Sequence, residues 1–335
     1  MTEQHANSTS ARPAAATIRE LTPAEAATVP ALWASAWGQV TLYPLEERVW
    51  RERLALHHQP DLLIGAFEAD ELVGVAYGRL PTAAWQPQDV GWVTLLAVAA
   101  TRQGRGIGTR LLAELLARLR AAGATRFKLG SDANHLLPGP PQESSAALWL
   151  LARRAGARFT AAEHDLHIDL RRPLPPAPLA PGWRVRSDDP DGAMRFVART
   201  FPGRWTHELE AYIAAGSTVL TIAREADTAA GDSAEAYGFC AVFQGEEAFL
   251  GPSLYWRSAL TSDVGPVRVA GMGPLGVSGE VRGAGLGLAI VRAGAQWLQE
   301  RGATDLLINW TTLTTFYGKL GARVWRTYQR TEGEL

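Results

Sequence analysis

The feature that most constrains this chain is that it repeats itself. Gly104, Gly106 and Gly108 recur as Gly283, Gly285 and Gly287 at one constant offset. The same offset carries Leu111, Leu112, Leu115, Leu116 and Leu119 onto Ile290, Val291, Gly294, Ala295 and Leu298. Those positions follow i, i+1, i+4, i+5, i+8, one face of an amphipathic helix. Downstream it maps "GAT" at 123–125 onto "GAT" at 302–304, and upstream "TLLAV" (94–98) onto "GPLGV" (273–277). A chain duplicated in register is expected to fold as two like units, and 335 residues suit two domains of roughly 150 each. Between the copies Pro173, Pro175, Pro176, Pro178 and Pro181 crowd one stretch. Proline at that density disfavours helix and central strand, which predicts a semi-rigid linker. The expected organisation is a disordered tail over 1–14, an N-terminal domain over 15–170, a linker over 171–182 and a C-terminal domain over 183–335.

Each half reads in the same order. A first strand ("TIREL", "WRVRS") precedes helical segments at 24–37 and 45–58 in one copy and at 190–200 and 206–215 in the other. Two strands follow: "LLIGAFEADELVGVAYGRL", turning at Ala69-Asp70, and "TVLTIAREAD…AYGFCAVF". The glycine-bearing strand, loop and helix come next, then a strand, a helix and a closing strand. Strands before helices in a mixed sheet predict an α/β fold of α+β, mixed-sheet type.

The glycines ask for a ligand. Tightly spaced glycines ahead of a helix let backbone N–H groups approach a phosphate. A nucleoside triphosphate loop needs Gly-Lys-Ser/Thr, and neither copy has that lysine. A dinucleotide fingerprint needs G-x-G-x-x-G, with an acidic residue about 20 positions on. Here the spacing is G-x-G-x-G, and the strands that follow end in Gly130 and Asn309.

The pattern that remains is Gln103-x-x-Gly106-x-Gly108 and Arg282-x-x-Gly285-x-Gly287, each after an apolar strand, with "FYGKLGA" at 316–322. In these elements the sequence resembles the GCN5-related N-acetyltransferase (GNAT) superfamily, over about 15–170 and again over 181–335. The layout is similar to that of mycothiol synthases, which also carry two such halves. The resemblance implies two tandem acyl-CoA N-acyltransferase domains. It implies that the pyrophosphate of acetyl-CoA, the co-substrate, is held by Gln103, Gly104, Arg105, Gly106, Ile107, Gly108 and Thr109. Arg282, Gly283, Ala284, Gly285, Leu286 and Gly287, with Asn309 nearby, would do the same in the other half. Pantetheine would lie along the main chain at Leu96 and Val98, and at Leu275 and Val277. A tyrosine in the "FYxKLGF" element commonly gives the leaving thiolate its proton, and here that is Tyr317. The first copy has Ala152 at this place, so the C-terminal half is expected to be catalytic and the N-terminal half CoA-binding or structural. The expected reaction moves acetyl to a primary amine of a small molecule; the alternatives are a non-catalytic acyl-CoA-binding or regulatory protein, a mycothiol-synthase-like enzyme, and transfer in the N-terminal half with water in place of the tyrosine.

The acceptor side is read from loops. The second copy carries an insertion, "QGEEAFLGPSLYWRSALTSDVG", with Tyr255 and Trp256. Long loops in compact domains are often binding elements. Trp205 in "FPGRWTHE" and Trp256 are candidate aromatic acceptor contacts, with Glu246 beside them; His207, Glu208, Glu247 and Asp263 are further candidate bases. The first copy has its own proline-rich insertion, "GSDANHLLPGPPQE".

Composition sets outer bounds. Net charge is −1, which makes nucleic acid or an anionic membrane a poor partner. The lone Cys240 excludes an intrachain disulfide framework and, in an apolar strand-like run, reads as a buried thiol of a cytoplasmic protein. No apolar run approaches the roughly 18 residues of a membrane span. His164 and His167 stand on opposite faces of an alternating strand, so no metal site is expected. Nothing distinguishes a monomer from a homodimer.

Overall fold

The computed structural model describes residues 16–335 except 39–41, 58, 134–135, 145, 229–234 and 248–250. The expected tail over 1–14 lies outside the described residues. The N-terminal half runs β1 (Thr17–Glu20), α1 (Pro23–Ala26), α2 (Val29–Ala36), α3 (Glu47–His57), β2 (Leu63–Glu68), β3 (Glu71–Arg79), β4 (Val90–Val98), α4 (Ile107–Ala121), β5 (Arg126–Leu129), α5 (Ala146–Arg154) and β6 (Arg158–Asp169). The C-terminal half repeats it as β7 (Trp183–Arg186), α6 (Pro190–Thr200), α7 (Arg204–Ala214), β8 (Thr218–Arg224), α8 (Glu225–Thr228), β9 (Ala236–Phe243), β10 (Val269–Val277), α9 (Leu286–Glu300), β11 (Asp305–Thr311), α10 (Thr314–Gly318) and β12 (Arg323–Glu334).

The helix expected over 24–37 is interrupted. Thr22 caps α1 and closes a capping box with Glu25, but the first turn of α2 contains Pro30. Proline has no N–H to continue a helix and is tolerated only in a first turn, so a new helix starts at Val29. The expected turn between β2 and β3 is present, with Ala69 at φ 52°.

The twelve strands of the described residues join one sheet, in the order β1-β2-β3-β4-β5-β12-β6-β11-β10-β9-β8-β7. The order shows that the halves exchange their closing strands. β12, the last strand of the C-terminal half, pairs with β5 of the N-terminal half (Gly333 opposite Phe127). β6 of the N-terminal half pairs with β11 (Ile168 opposite Leu306). In the middle β6 and β12 run antiparallel to each other from Arg323 opposite His167 to Glu332 opposite Arg158. The linker between them, free of helix and strand from 173 to 180, packs Leu174 and Leu179 on the C-terminal core and accepts a hydrogen bond from Arg292 at Pro175.

Among the described residues three apolar clusters result. One lies under α4, and a second under α9 that also takes in Leu166, Ile168 and Leu170 from β6 and its end. Glycines let α4 come close: a Cβ on Gly74 would lie 2.9 Å from Leu111, and one on Gly78 2.8 Å from Leu115. The third cluster covers the opposite face and belongs to both halves, gathering residues of α2, α3, α6 and α7 with Tyr328 of β12. Burial of this kind contributes about 1.5–3 kcal/mol per large apolar side chain, so the seam is a core rather than a docking contact.

Candidate active site

Both cradles are built alike. In each, β-strand pairing on one side stops halfway: β4 pairs with β5 only as far as Val93 opposite Leu129, and β10 with β11 as far as Met272 opposite Ile308. The strands then splay, and on that side Thr94–Val98 and Gly273–Val277 turn main-chain groups towards a cleft instead of a neighbour. In the C-terminal cleft Asn309 lies across from Gly273, whose Cβ position is 3.6 Å from its Oδ1.

At the cleft's end stand the glycine loops. Gly106 is the N-cap of α4 at φ 79°, and Gly285 the N-cap of α9 at φ 78°. This left-handed backbone suits glycine. A Cβ on Gly104, Gly106, Gly283 or Gly285 would meet nothing within 4 Å, so the loops face open space. Ile107 and Leu286 are buried and anchor each helix start in its core, leaving the first-turn N–H groups directed outward. Gln103 lines the cleft and also latches the loop, its Nε2 donating to Val98 O at 2.9 Å and Ala36 O at 3.0 Å. Arg105 donates to Thr101 O at 3.2 Å; Arg282 and Ala284 are exposed, as is Thr109 in the first turn of α4. Leu96 and Val98 turn their side chains towards α4, and Leu275 and Val277 theirs towards α9. An anion at a helix N-terminus with unpaired donors is favoured by the helix dipole, so the cradles fit a pyrophosphate.

A cavity of about 690 Å³ follows the N-terminal cradle. It runs from Gln103, Gly106 and Gly108 along β4 and is walled by Leu148 and Leu151 of α5. Behind Gly108 stands Leu151, 3.6 Å from the Cβ position; behind Gly287 stands Phe316, at the same distance. Next to these come Ala152, which lines the cavity, and Tyr317, each four residues before a glycine (Gly156 and Gly321). Tyr317 is 5% exposed, edge-on to Phe316 at 4.9 Å, in a cluster with Cys240, Leu286 and Leu320. Burial, with Cys240 nearby, raises its hydroxyl above the ordinary phenol range, so it stays protonated.

The acceptor candidates divide. Trp205 packs on Phe201 at 4.9 Å and stands against Gly276 of β10, 3.1 Å from its Cβ position. Trp256 does not reach a surface: it is 1% exposed and stacks on Trp33 of the other half at 6.3 Å, with Leu254 and Tyr255 buried beside it. The insertion that bears it ties the halves together, through Arg257 with Glu46 at 3.2 Å and Arg48 with Glu247 O at 2.5 Å. Glu246 and Asp263 are exposed, Glu208 is buried against Arg204 at 2.6 Å, and His207 lies beside Trp85 at 5.9 Å. His164 and His167 hydrogen-bond to different strands, at Thr327 and Asp305. Among the described residues no group of three His, Cys, Asp or Glu side chains is placed to hold a metal.

Several residues near the cavity have no local sequence signal. Glu143, at its lining, accepts a hydrogen bond from Tyr43 Oη at 2.8 Å, across 100 positions. Burial, followed by Glu143, raises the Tyr43 hydroxyl. Behind Tyr43 lie Tyr328 at 6.0 Å and the Arg326 guanidinium at 4.1 Å. Tyr328 donates to Asp165 Oδ2 at 2.6 Å and Trp310 N to Oδ1 at 3.3 Å. Burial pushes the Asp165 carboxyl up to about 7.

Comparison with known proteins agrees with this architecture. Residues 28–137 match the acetyltransferase (GNAT) family, a match lying wholly in the N-terminal half. A search of curated proteins found no significant match. Among solved structures the chain resembles a GCN5-related glucosamine N-acetyltransferase region of a fungal multi-domain GH3 β-N-acetylglucosaminidase, with a TM-score of 0.78 at 23% identity. That alignment covers 96% of this chain and 38% of the fungal one, so the chain spans well under half of that protein. A GCN5-related N-acetyltransferase from Sphaerobacter thermophilus aligns with a TM-score of 0.65 at 18% identity, over 96% of both chains. A tandem GNAT protein from the clavulanic acid biosynthesis pathway gives 0.66 at 16% identity, over 95% of this chain and 98% of that one. At these identities the likeness is one of fold: the chain has the tandem GNAT fold, in which a mixed α/β module occurs twice.

Proposed function

We propose that this protein is an acetyl-CoA-dependent N-acetyltransferase acting on a small amine, with acyl-CoA seated in the N-terminal cleft. The observation that carries the reading is the cavity of about 690 Å³ that starts at the glycine cradle and follows the splayed half of β4. Bound acetyl-CoA supplies the acyl group as an activated thioester. The chain's own part is to bind and orient. First-turn N–H groups of α4 hold the pyrophosphate, and the main chain of Thr94–Val98 offers ladder groups to pantetheine. Leu112, Leu148 and Leu151 line the cavity between α4 and α5 and keep water from the bound chain. The buried Cys240 and the lack, among the described residues, of a helix long and apolar enough to cross a membrane are compatible with a cytoplasmic site of action.

A second reading places transfer in the C-terminal half, as in mycothiol synthases. Tyr317 favours it, as a protonated phenol beside the helix that opens at Gly285. Replacing Gly106 or Gly285 by tryptophan separates the two. Acetyl-CoA binding and thiol release with an amine panel are measured for each full-length variant. On the N-terminal reading Gly106→Trp abolishes both and Gly285→Trp leaves turnover in place; the opposite result moves catalysis to Tyr317. Tight CoA binding without thiol release for any amine would instead identify a non-catalytic acyl-CoA-binding protein.

A further inference from the structure

The lining of the N-terminal cavity carries groups of both signs. At the cradle end it has the N-terminus of α4 and the guanidinium of Arg102, itself held by Glu68 at 2.8 Å and Glu71 at 3.2 Å; Arg154 of α5 also lines the cavity. Away from the cradle the character reverses. Glu143 is the one carboxylate among the described residues that line the cavity. It stands just ahead of α5, more than a helical turn before Leu151, the residue that backs Gly108. The wall shared with α2 is aromatic: Trp33 and Trp37 both line the cavity, edge to face at 5.8 Å. An anion belongs at the first end. Where Tyr43 joins Glu143 to the wall of Trp33 and Trp37, a carboxylate and two indole rings together select a cation.

The carboxylate is held in place from two sides. Tyr43, fully buried, donates to Glu143 Oε2, while its own main-chain oxygen accepts from Trp33 Nε1 at 2.6 Å. One residue therefore positions both the carboxylate and an aromatic ring. On the other side, the loop leading to Glu143 is stitched to β12 of the C-terminal half. Gln142 N donates to Thr327 O at 2.8 Å, and Gln329 N donates to Pro140 O at 3.0 Å. A Cβ on Gly139 would fall 2.0 Å from Gln329 O, so loop and strand are in direct backbone contact. The exchanged strand of the C-terminal half thus braces the loop that lines the N-terminal cavity.

We propose that Glu143, set by Tyr43, receives the ammonium group of the acceptor, and that the acceptor is a compact monocationic amine laid against Trp33 and Trp37. The assignment rests on the N-terminal cleft being the acyl-CoA site. Glu143 determines specificity by charge, excluding acceptors that present a carboxylate at that point, and Tyr43 is a positioning residue.

The test compares 2-phenylethylamine with 3-phenylpropionate, its anionic counterpart, binding to the full chain saturated with CoA, read by calorimetry and tryptophan fluorescence. The amine is expected to bind at least about tenfold more tightly than the anion, a charge-assisted contact's worth of preference. E143Q should remove most of that preference and E143D should keep part of it. Y43F should lower it about threefold, as a lost positioning bond would. CoA affinity should stay within about twofold throughout, which also shows that the variants fold. Equal binding of amine and anion, a preference untouched by E143Q, or no amine binding in the millimolar range would each overturn the assignment while leaving the CoA site standing. Failure of the wild-type chain to bind CoA, or CoA binding untouched by Gly106→Trp, would instead overturn the reading beneath it.

Discussion

Leu151 and Ala152 back the glycine loop of the N-terminal half; Phe316 and Tyr317 stand in the same places in the C-terminal half. The backbone of the two cradles is nearly the same, down to N-cap φ values of 79° and 78°. What differs is the filling. Beside the C-terminal splay Phe201 and Trp205 also press on Gly276 of β10, at 2.7 and 3.1 Å from its Cβ position. Its counterpart in β4 is Ala97, which faces the shared core. Duplication preserves backbone geometry because that geometry follows from glycines and apolar periodicity. The room a ligand finds depends on side-chain volume, which changes freely between copies.

The largest effect is expected from tryptophan placed in each cradle. At φ near 80° a non-glycine residue costs about 1–2 kcal/mol, and an indole would occupy the phosphate's seat. Gly106→Trp is expected to weaken acetyl-CoA binding at least about 100-fold, whereas Gly285→Trp leaves this site within about threefold, by calorimetry. A smaller effect comes from giving one copy the other's filling. Ala152→Tyr should narrow the N-terminal cavity and cost about tenfold in acetyl-CoA affinity, since overpacking costs about 1–3 kcal/mol. Unchanged affinity would mean that the cavity's floor is not where the ligand lies.

Between the copies the seam has its own signature, buried Asp165. Its carboxyl, raised from 3.8 to about 7 by burial, binds a proton more tightly folded than unfolded. The contribution is therefore full below about pH 4 and lost as pH rises through 7. Raising pH from 5 to 8 should cost the wild type on the order of 2 kcal/mol more than Asp165→Asn, followed by the Tm of the two proteins at each pH. Parallel pH profiles would show that the strand exchange tolerates the ionised carboxylate. The smallest change is expected from Tyr317→Phe. On the N-terminal reading its turnover stays within about twofold of wild type, while loss of an essential proton donor would cost about 100-fold or more.

How much of this was legible in the sequence follows from how local each feature is. The paired cradles, the starts of α4 and α9, the β2–β3 turn and the proline linker depend on residues within a few positions of one another. Spacing alone therefore predicts them. The helical pattern over 24–37 is cut by Pro30, whose effect is equally local but lies inside an otherwise helical periodicity. Trp256 shows the opposite limit. A tryptophan in a long insertion reads as a surface element, and only its stacking on Trp33 makes it part of a core.

By itself, the sequence determined two like modules, each with a glycine cradle opening a helix. Backbone conformation at glycine and apolar periodicity are properties of short stretches, and they survive whatever surrounds them. Tertiary structure alone decided that β6 and β12 change places, that Trp256 stacks on Trp33 in a core of both halves, and that Tyr43 meets Glu143 across 100 positions. Those outcomes depend on which distant side chains compete for the same volume and the same hydrogen bond, and that competition exists only once the two halves have closed on one another.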